Sequence, residues 1–339
     1  MERCPSGLRC KPGTFVWGQL HRGFESRLLR ILIFYNNMNK LFFFKDLDSH
    51  YVIYFLGIRL CLKHKCRFEY KQTNDFGVTI KKRTPQIIVS LTSYPARIKT
   101  VHYTINTLLS QDFKPDKVIL WLTESQFPNR EKDLPSELVR LLDLGLTIEW
   151  CQDDLKSYKK LIPALKKYPN DIIITADDDV YYNQNLISSL YEAYKKDPKN
   201  IYVKRSVKLQ LNNEKLENIS SRKYFYKHLK SPSYFNQIMG GSGCLYPPNS
   251  LYKDITNIEL FQQLVPSHDD VYFWSMAILN RTKIQVVGGF DEDLNFVENT
   301  QDIGLINVNT QNGEGHTLTE AYDIMMNKYP EILTILKEE

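Results

Sequence analysis

The hydrophobic positions fall into two regimes along the chain. Up to about residue 84, apolar and aromatic clusters such as 29–44 (LRILIFYNNMNKLFFF) and 51–67 (YVIYFLGIRLCLKHKCR) are broken by Lys and Arg without a sustained period. From about residue 85, short continuous apolar runs alternate with stretches whose apolar residues recur every three to four positions. QIIVSLTS (86–93), KVILWLT (117–123), LTIEWC (146–151) and DIIITADDD (171–179) read as buried strands. YPARIKTVHYTINTLLSQ (94–111) puts Ile98, Val101, Ile105, Leu108 and Leu109 on one helical face, with Ser93 as a candidate cap and Pro95 near the first turn. SYKKLIPALKKYP (157–169) reads as a helix with a proline near its middle, and 201–211 (IYVKRSVKLQL) as one strand. Residues 215–250 are loop-rich and aromatic, and the closing 319–339 reads as one helix or two.

Strands alternating with helices, each strand apolar throughout rather than at every second residue, predict an α/β fold: a mostly parallel central sheet with helices on both faces. In such sheets the ligand crevice lies beyond the carboxyl ends of the strands. The segments LTS, LTES, CQDD and ADDD, which close the four strands, therefore converge on one edge.

Composition changes this picture little, except through charge. The chain carries 44 Lys+Arg and 39 Asp+Glu, of which residues 1–85 hold 16 and 6, leaving 28 and 33 for the rest. The basic excess belongs to the amino-terminal part, where a solvated flank or contact with an anionic lipid surface fits better than nucleic acid. Neither apolar cluster reaches the ~18–20 residues that span a bilayer. The six cysteines, at 4, 10, 61, 66, 151 and 244, form no CxxC pair and no zinc spacing, so ordinary reduced thiols are expected. MERCPSGLRCKPGTF lacks the apolar core of a signal peptide, and the expected compartment is the cytoplasm, with or without contact to the inner face of the membrane. GFESR (23–27) can be written in the codons of a transfer-RNA T-arm, which suggests that residues 1–37 are a misread leader and Met38 the initiator.

Three consecutive carboxylates, Asp177, Asp178 and Asp179, stand where a buried strand runs out, although like charges side by side repel. A hard divalent cation would resolve that repulsion, and Asp177 and Asp179 have the spacing to reach one ion. A helix cap for the following residues would need only one of them. Asp269 and Asp270 precede an aromatic-rich helical pattern, as caps or as a general base. Gly240, Gly241 and Gly243 permit close backbone approach to a ligand or a tight turn.

Taken in order, IIVSLTSYPARI, DLKSYKKLIPAL, IITADDDVYY, GGSGCLYPP and HDDVYFW resemble bacterial glycosyltransferases of the GT-A architecture (family 2-like), of the kind that build surface polysaccharides. The resemblance covers about residues 85–315, between a basic segment at 38–84 and a helical segment at 316–339. It implies that Thr92, Ser93 and Arg97 border the nucleotide of a sugar donor. It places Asp177 and Asp179 in a D-x-D that holds Mn²⁺ or Mg²⁺ against the diphosphate, with Asp178 between them on the donor side; Lys160 would approach the same group, although an exposed helix lysine is the simpler reading. His316 is a candidate third ligand, although a surface histidine fits that segment equally well. The glycine loop would line donor sugar and acceptor. Asp270 matches the base of the related E-D-V pattern, with Asp269 where that pattern has Glu.

The function so implied is metal-dependent transfer of a sugar from a nucleotide-diphosphate donor to a hydroxyl of a glycan or lipid-linked acceptor. A sugar-phosphate nucleotidyltransferase would use a similar acidic site, but usually has a Gly-rich basic loop after the first strand, and LTSYPARI has no glycine. A non-catalytic carbohydrate-binding protein holding Ca²⁺ would leave the residues at 92–97 without a role. A chain beginning at Met38 should match the full length in melting temperature and in activity; a large loss on truncation would overturn the leader reading.

Overall fold

The computed structural model describes residues 42–47, 50–55, 58–63, 71–219, 231–287, 294–301 and 316–339. The leader at 1–37, Met38, and Cys4, Cys10 and Cys66 lie outside the described residues. Two compact units are present, 1–67 and 68–339. In the first, β1 (Phe42–Leu47), β2 (His50–Phe55) and β3 (Ile58–Lys63) form an antiparallel meander with neighbours paired in sequence order. The aromatic and basic clusters thus contribute strands. Among the described residues no helix is long and apolar enough to cross a membrane.

The second unit is built on β4 (Ile87–Thr92), β5 (Lys117–Thr123), β6 (Leu146–Cys151), β7 (Ile172–Thr175), β8 (Val180–Tyr181), β9 (Ile201–Val203), β10 (Ser206–Asn212), β11 (Lys215–Asn218), β12 (Asn236–Ile238), β13 (Cys244–Tyr246), β14 (Ile284–Val286) and β15 (Asn295–Phe296). Seven of them make the central sheet, in the order β14-β9-β13-β7-β4-β5-β6. Six run parallel; β13 alone is antiparallel to both its neighbours, β7 and β9. Chain order therefore reverses at β4 and β7, which lie side by side although two strands separate them in sequence. The carboxyl edge beside such a reversal is where open α/β sheets hold ligands.

Alternate residues of these strands face two separate apolar layers, which is why each strand is apolar throughout. Ile87, Val89 and Leu91 of β4 pack into one layer with Ile105 and Leu108 of the helix Val101–Leu109. Ile88 and Ile173 face the other, with Trp121, Tyr158 and the helix Asp269–Leu279. The α/β architecture expected from the sequence, a mostly parallel sheet covered on both faces, is the one observed.

Local boundaries differ from the sequence expectation where side chains found partners outside their own element. The first helix starts at Val101 with Thr100 at its cap, while Ser93 is engaged elsewhere. Residues 156–160 form a 3₁₀ turn, and the helix Ile162–Lys167 starts after it with Pro163 in its first turn, where a missing N–H costs nothing. The 201–211 stretch divides into β9 and β10, which belong to different sheets. The carboxyl terminus forms two helices, Leu318–Lys328 behind a Thr317/Glu320 capping box and Glu331–Lys337.

Two features of this frame deliver the site. Because β13 is antiparallel, the residues before it, 240–243, lie at the edge where the six parallel strands end. The 3₁₀ turn is clamped from both sides: the Tyr158 ring stacks on Phe261 with centroids 4.0 Å apart, its hydroxyl donates to the Val265 carbonyl, and the Lys160 carbonyl accepts from Ser90 Oγ at 2.6 Å. Ser90 is fully buried and its Oγ also accepts the Trp121 indole N–H. Ser90→Ala leaves a buried acceptor and a buried donor unsatisfied, and should lower unfolding free energy by about 2–3 kcal/mol in a urea titration.

Candidate functional site

At the carboxyl edge, β4 ends in Thr92 and leads through Ser93 to Arg97, and β7 ends in Thr175 and leads through Ala176 to the acidic triplet. The triplet lies in a turn; the following helix begins only at Leu186 with Asn185 at its cap, so none of the three carboxylates caps it. Arg97, nine-tenths buried, is the cation for two of them. Its Nη1 lies 2.8 Å from Asp178 Oδ1 and 3.1 Å from Asp179 Oδ2, and its Nη2 donates to the Thr300 carbonyl. Ser93 Oγ donates to Asp178 at 2.6 Å, and Gln301 Nε2 to Asp179 at 2.9 Å.

Asp177 is paired separately. Lys160 Nζ lies 2.9 Å from Asp177 Oδ1 and 2.9 Å from Asp269 Oδ2, with the lysine side chain only 5% exposed and that of Asp177 34% exposed. Burial by itself would lower the lysine's pKa, but Asp177, Asp269 and Asp270 more than reverse this and hold the ammonium protonated. Asp269 and Asp270 open the helix Asp269–Leu279, with His268 at its cap. Both Asp270 oxygens accept from the Gly240 N–H at 3.0 Å.

The glycine loop closes the arrangement. A Cβ on Gly240 would stand 2.6 Å from both Asp270 Oδ1 and Lys160 Nζ, and one on Gly241 2.9 Å from Asp177 Oδ2, so charged side chains pass where other residues keep a methyl group. Tyr182 ties this loop to the triplet, its hydroxyl accepting from the Asp177 N–H and donating to the Gly241 carbonyl. Gly243, with φ +95° and a would-be Cβ 2.6 Å from Leu186 Cδ1, instead makes the turn into β13.

The structure thus brings together Ser93, Arg97, Lys160, Asp177, Asp178, Asp179, Gly240, Gly241, Asp269 and Asp270. The Thr92 hydroxyl is spent on the Trp121 carbonyl. His316 lies beside the cap of the helix Asp269–Leu279, its carbonyl accepting from His268 Nε2 at 2.5 Å; among the described residues its side chain is not grouped with two carboxylates around a metal position. Sequence reasoning missed Lys159, which is buried and bonds Thr123 Oγ1 and Asp154 Oδ1 at 2.6 Å, as well as Tyr182 and Gln301. The adjacency of Lys159 to Lys160 and of Tyr182 to the triplet was the available signal; Gln301 had none. Lys160 itself, which sequence allows as an exposed helix lysine, is deeply buried. Burial pushes the Cys151 thiol up to about 11 and holds the Cys244 thiol well above the ordinary thiol range.

Among the described residues five carboxylates share this centre with two cations, Arg97 and Lys160, an excess of negative charge that suits a divalent ion. Among the described residues no group of three His, Cys, Asp or Glu side chains is assembled to cage one. Asp177, more exposed than its neighbours, is the carboxylate open to an ion; Asp179 offers the oxygen that Arg97 and Gln301 leave free. An ion here would take its remaining ligands from substrate or water.

Comparison with models of protein families and with curated protein sequences returns no match. Among solved structures, similar ones include S. aureus TarS 1-349 (13% identity, TM-score 0.40, covering 60% of this chain and 59% of that one). The mannosyltransferase PcManGT from Pyrobaculum calidifontis, in complex with GDP-Man and Mn²⁺, is 13% identical with a TM-score of 0.42, covering 80% and 76%. 4-diphosphocytidyl-2C-methyl-D-erythritolsynthase from Anaerococcus prevotii is 16% identical with a TM-score of 0.37, covering 65% and 95%. Likeness at this level leaves function to be argued from the site.

Burial and the neighbouring Asp269 push the Asp270 carboxyl up to about 7, and burial pushes Asp179 up to about 6. Both bind their protons more tightly in the folded chain than an unfolded aspartate near 3.9 does. The stability they contribute is therefore full in acid and is lost as pH rises through about 6 and about 7. In metal-free buffer the melting temperature of the wild type should fall relative to Asp270→Asn between pH 5 and pH 8; a constant difference would show that Asp270 titrates as an ordinary aspartate.

Proposed function

We propose that the chain is a glycosyltransferase of GT-A architecture, moving a sugar from a nucleotide-diphosphate donor to a hydroxyl of a glycan or lipid-linked acceptor in surface polysaccharide synthesis. One observation carries this reading. At the reversal of strand order, a buried arginine and a buried lysine, an acidic triplet and a glycine-held aspartate of raised pKa meet on one edge. Such a site can hold a diphosphate and move one proton, which is what glycosyl transfer requires.

In this reading the donor lies beyond β4 and β7, its nucleotide bordered by the turn that Thr92, Ser93 and Arg97 shape. Asp177 and Asp179 would hold Mn²⁺ or Mg²⁺, which when bound neutralises charge on the departing diphosphate. Asp178, enclosed by Ser93 and Arg97, fixes the triplet's backbone rather than touching substrate. Gly240 and Gly241 would line the sugar and leave room for Lys160, Asp270 and Asp177 beside it. Asp270 accepts the acceptor hydroxyl's proton: a carboxylate of pKa near 7 is matched to that transfer at neutral pH, and the Gly240 N–H orients it. Direct attack assisted by that base inverts the anomeric centre. Asp269 holds Lys160 beside it.

Nucleotidyl transfer is the weaker reading, because Arg97, the cation that follows β4, is consumed by Asp178 and Asp179 instead of facing outward to grip a triphosphate. Two measurements test the proposal. Melting temperature against a panel of nucleotide sugars with Mn²⁺ present should rise for one donor, since a ligand of the native state stabilises it; a uniformly flat panel, with stabilisation by a nucleoside triphosphate instead, would favour the alternative. With that donor, Asp270→Asn should retain affinity and lose roughly 10²-fold or more in turnover, whereas an aspartate serving only the helix terminus would be replaced by asparagine with little loss.

A further inference from the structure

The carboxylate most open to an ion, Asp177, already has a cation. Lys160 Nζ stands 2.9 Å from its Oδ1, and the lysine is held there by the rest of the fold. Its main chain is fixed by Ser90 Oγ, and the neighbouring Tyr158 is locked between aromatic rings. Its ammonium has a second anion in Asp269 at 2.9 Å, and passes so close to Gly240 that any other residue there would collide with it. A solvated surface lysine could swing away at no cost; a side chain 5% exposed between two carboxylates is part of the site's resting charge balance.

We propose that Lys160 is a built-in counter-ion that competes with a divalent metal for Asp177, so that the resting protein binds the metal alone weakly. A positive charge in contact with a carboxylate shifts its affinity for a proton by one to three pKa units, roughly 10- to 1,000-fold, and an incoming metal ion meets the same field. A ligand that carries its own negative charge, such as a diphosphate, gives the ammonium somewhere else to go. Metal and diphosphate then bind synergistically, each relieving a charge the other would oppose. This couples to the glycosyltransferase reading through the diphosphate, but the competition itself concerns only the chain and the ion.

The test therefore uses Mn²⁺ alone, without nucleotide, with the free ion followed by its electron paramagnetic resonance signal. Lys160→Gln should bind Mn²⁺ at least about tenfold more tightly than the wild type. The gain should vanish in Lys160→Gln/Asp177→Asn, while Lys160→Arg, which keeps the charge, should stay as weak as the wild type. Equal Mn²⁺ affinity in wild type and Lys160→Gln, or a gain that survives loss of Asp177, overturns the proposal. Should Lys160→Gln fail to fold, Asp177→Asn in the otherwise wild-type chain decides. Unchanged Mn²⁺ affinity supports occupancy of Asp177 by the lysine, and a tenfold or greater loss refutes it. Failure of the donor panel with success here would remove the glycosyltransferase reading and leave the counter-ion in place.

Discussion

Everything at the ends of β4 and β7 depends on balancing the five clustered carboxylates among the described residues with two buried cations, Arg97 and Lys160. Unpaired, a charge withdrawn from water costs several kcal/mol; paired in good geometry, it is tolerated. Arg97 serves Asp178 and Asp179 through one guanidinium nitrogen, Nη1, while Nη2 is tied to the Thr300 carbonyl, and Lys160 serves Asp177 and Asp269 with a point charge. The division is geometric: a guanidinium fixed by Asp178 and the Thr300 carbonyl has no freedom left to reach Asp177.

The hydrophobic layers set the stage for that balance. Tyr158, buried among Phe261, Tyr272 and Phe273, positions a 3₁₀ turn from which Lys159 and Lys160 leave toward different strand ends. Apolar packing is non-directional, but it fixes the backbone to a fraction of an ångström, and a buried ion pair needs that precision to recover its desolvation cost.

The one antiparallel strand of the central sheet, β13, is what completes the site. A parallel β13 would present residues 240–243 at the opposite edge, far from the triplet. Reversed, it lays Gly240 against Asp270 and Lys160, and Gly241 against Asp177. The helix Asp269–Leu279, running back to β14, starts at the same edge, so that segments distant in sequence supply one charge cluster.

Much of this was legible in the residues. Continuous apolar runs such as IIVSLT and IIIT announce strands covered on both faces, since only those can lack a polar alternation, and the parallel sheet follows. Three adjacent aspartates at a strand end announce a charge that something must neutralise. What the sequence could not say is which cation neutralises which carboxylate. That Ser93 holds Asp178 instead of capping a helix, that Lys160 is buried rather than exposed, and that Gln301 reaches Asp179 are decided by contacts between residues 17 to 122 positions apart. Hydrophobic periodicity is local and survives in a linear reading; the pairing of charges is set by tertiary distances, to which sequence spacing carries no guide.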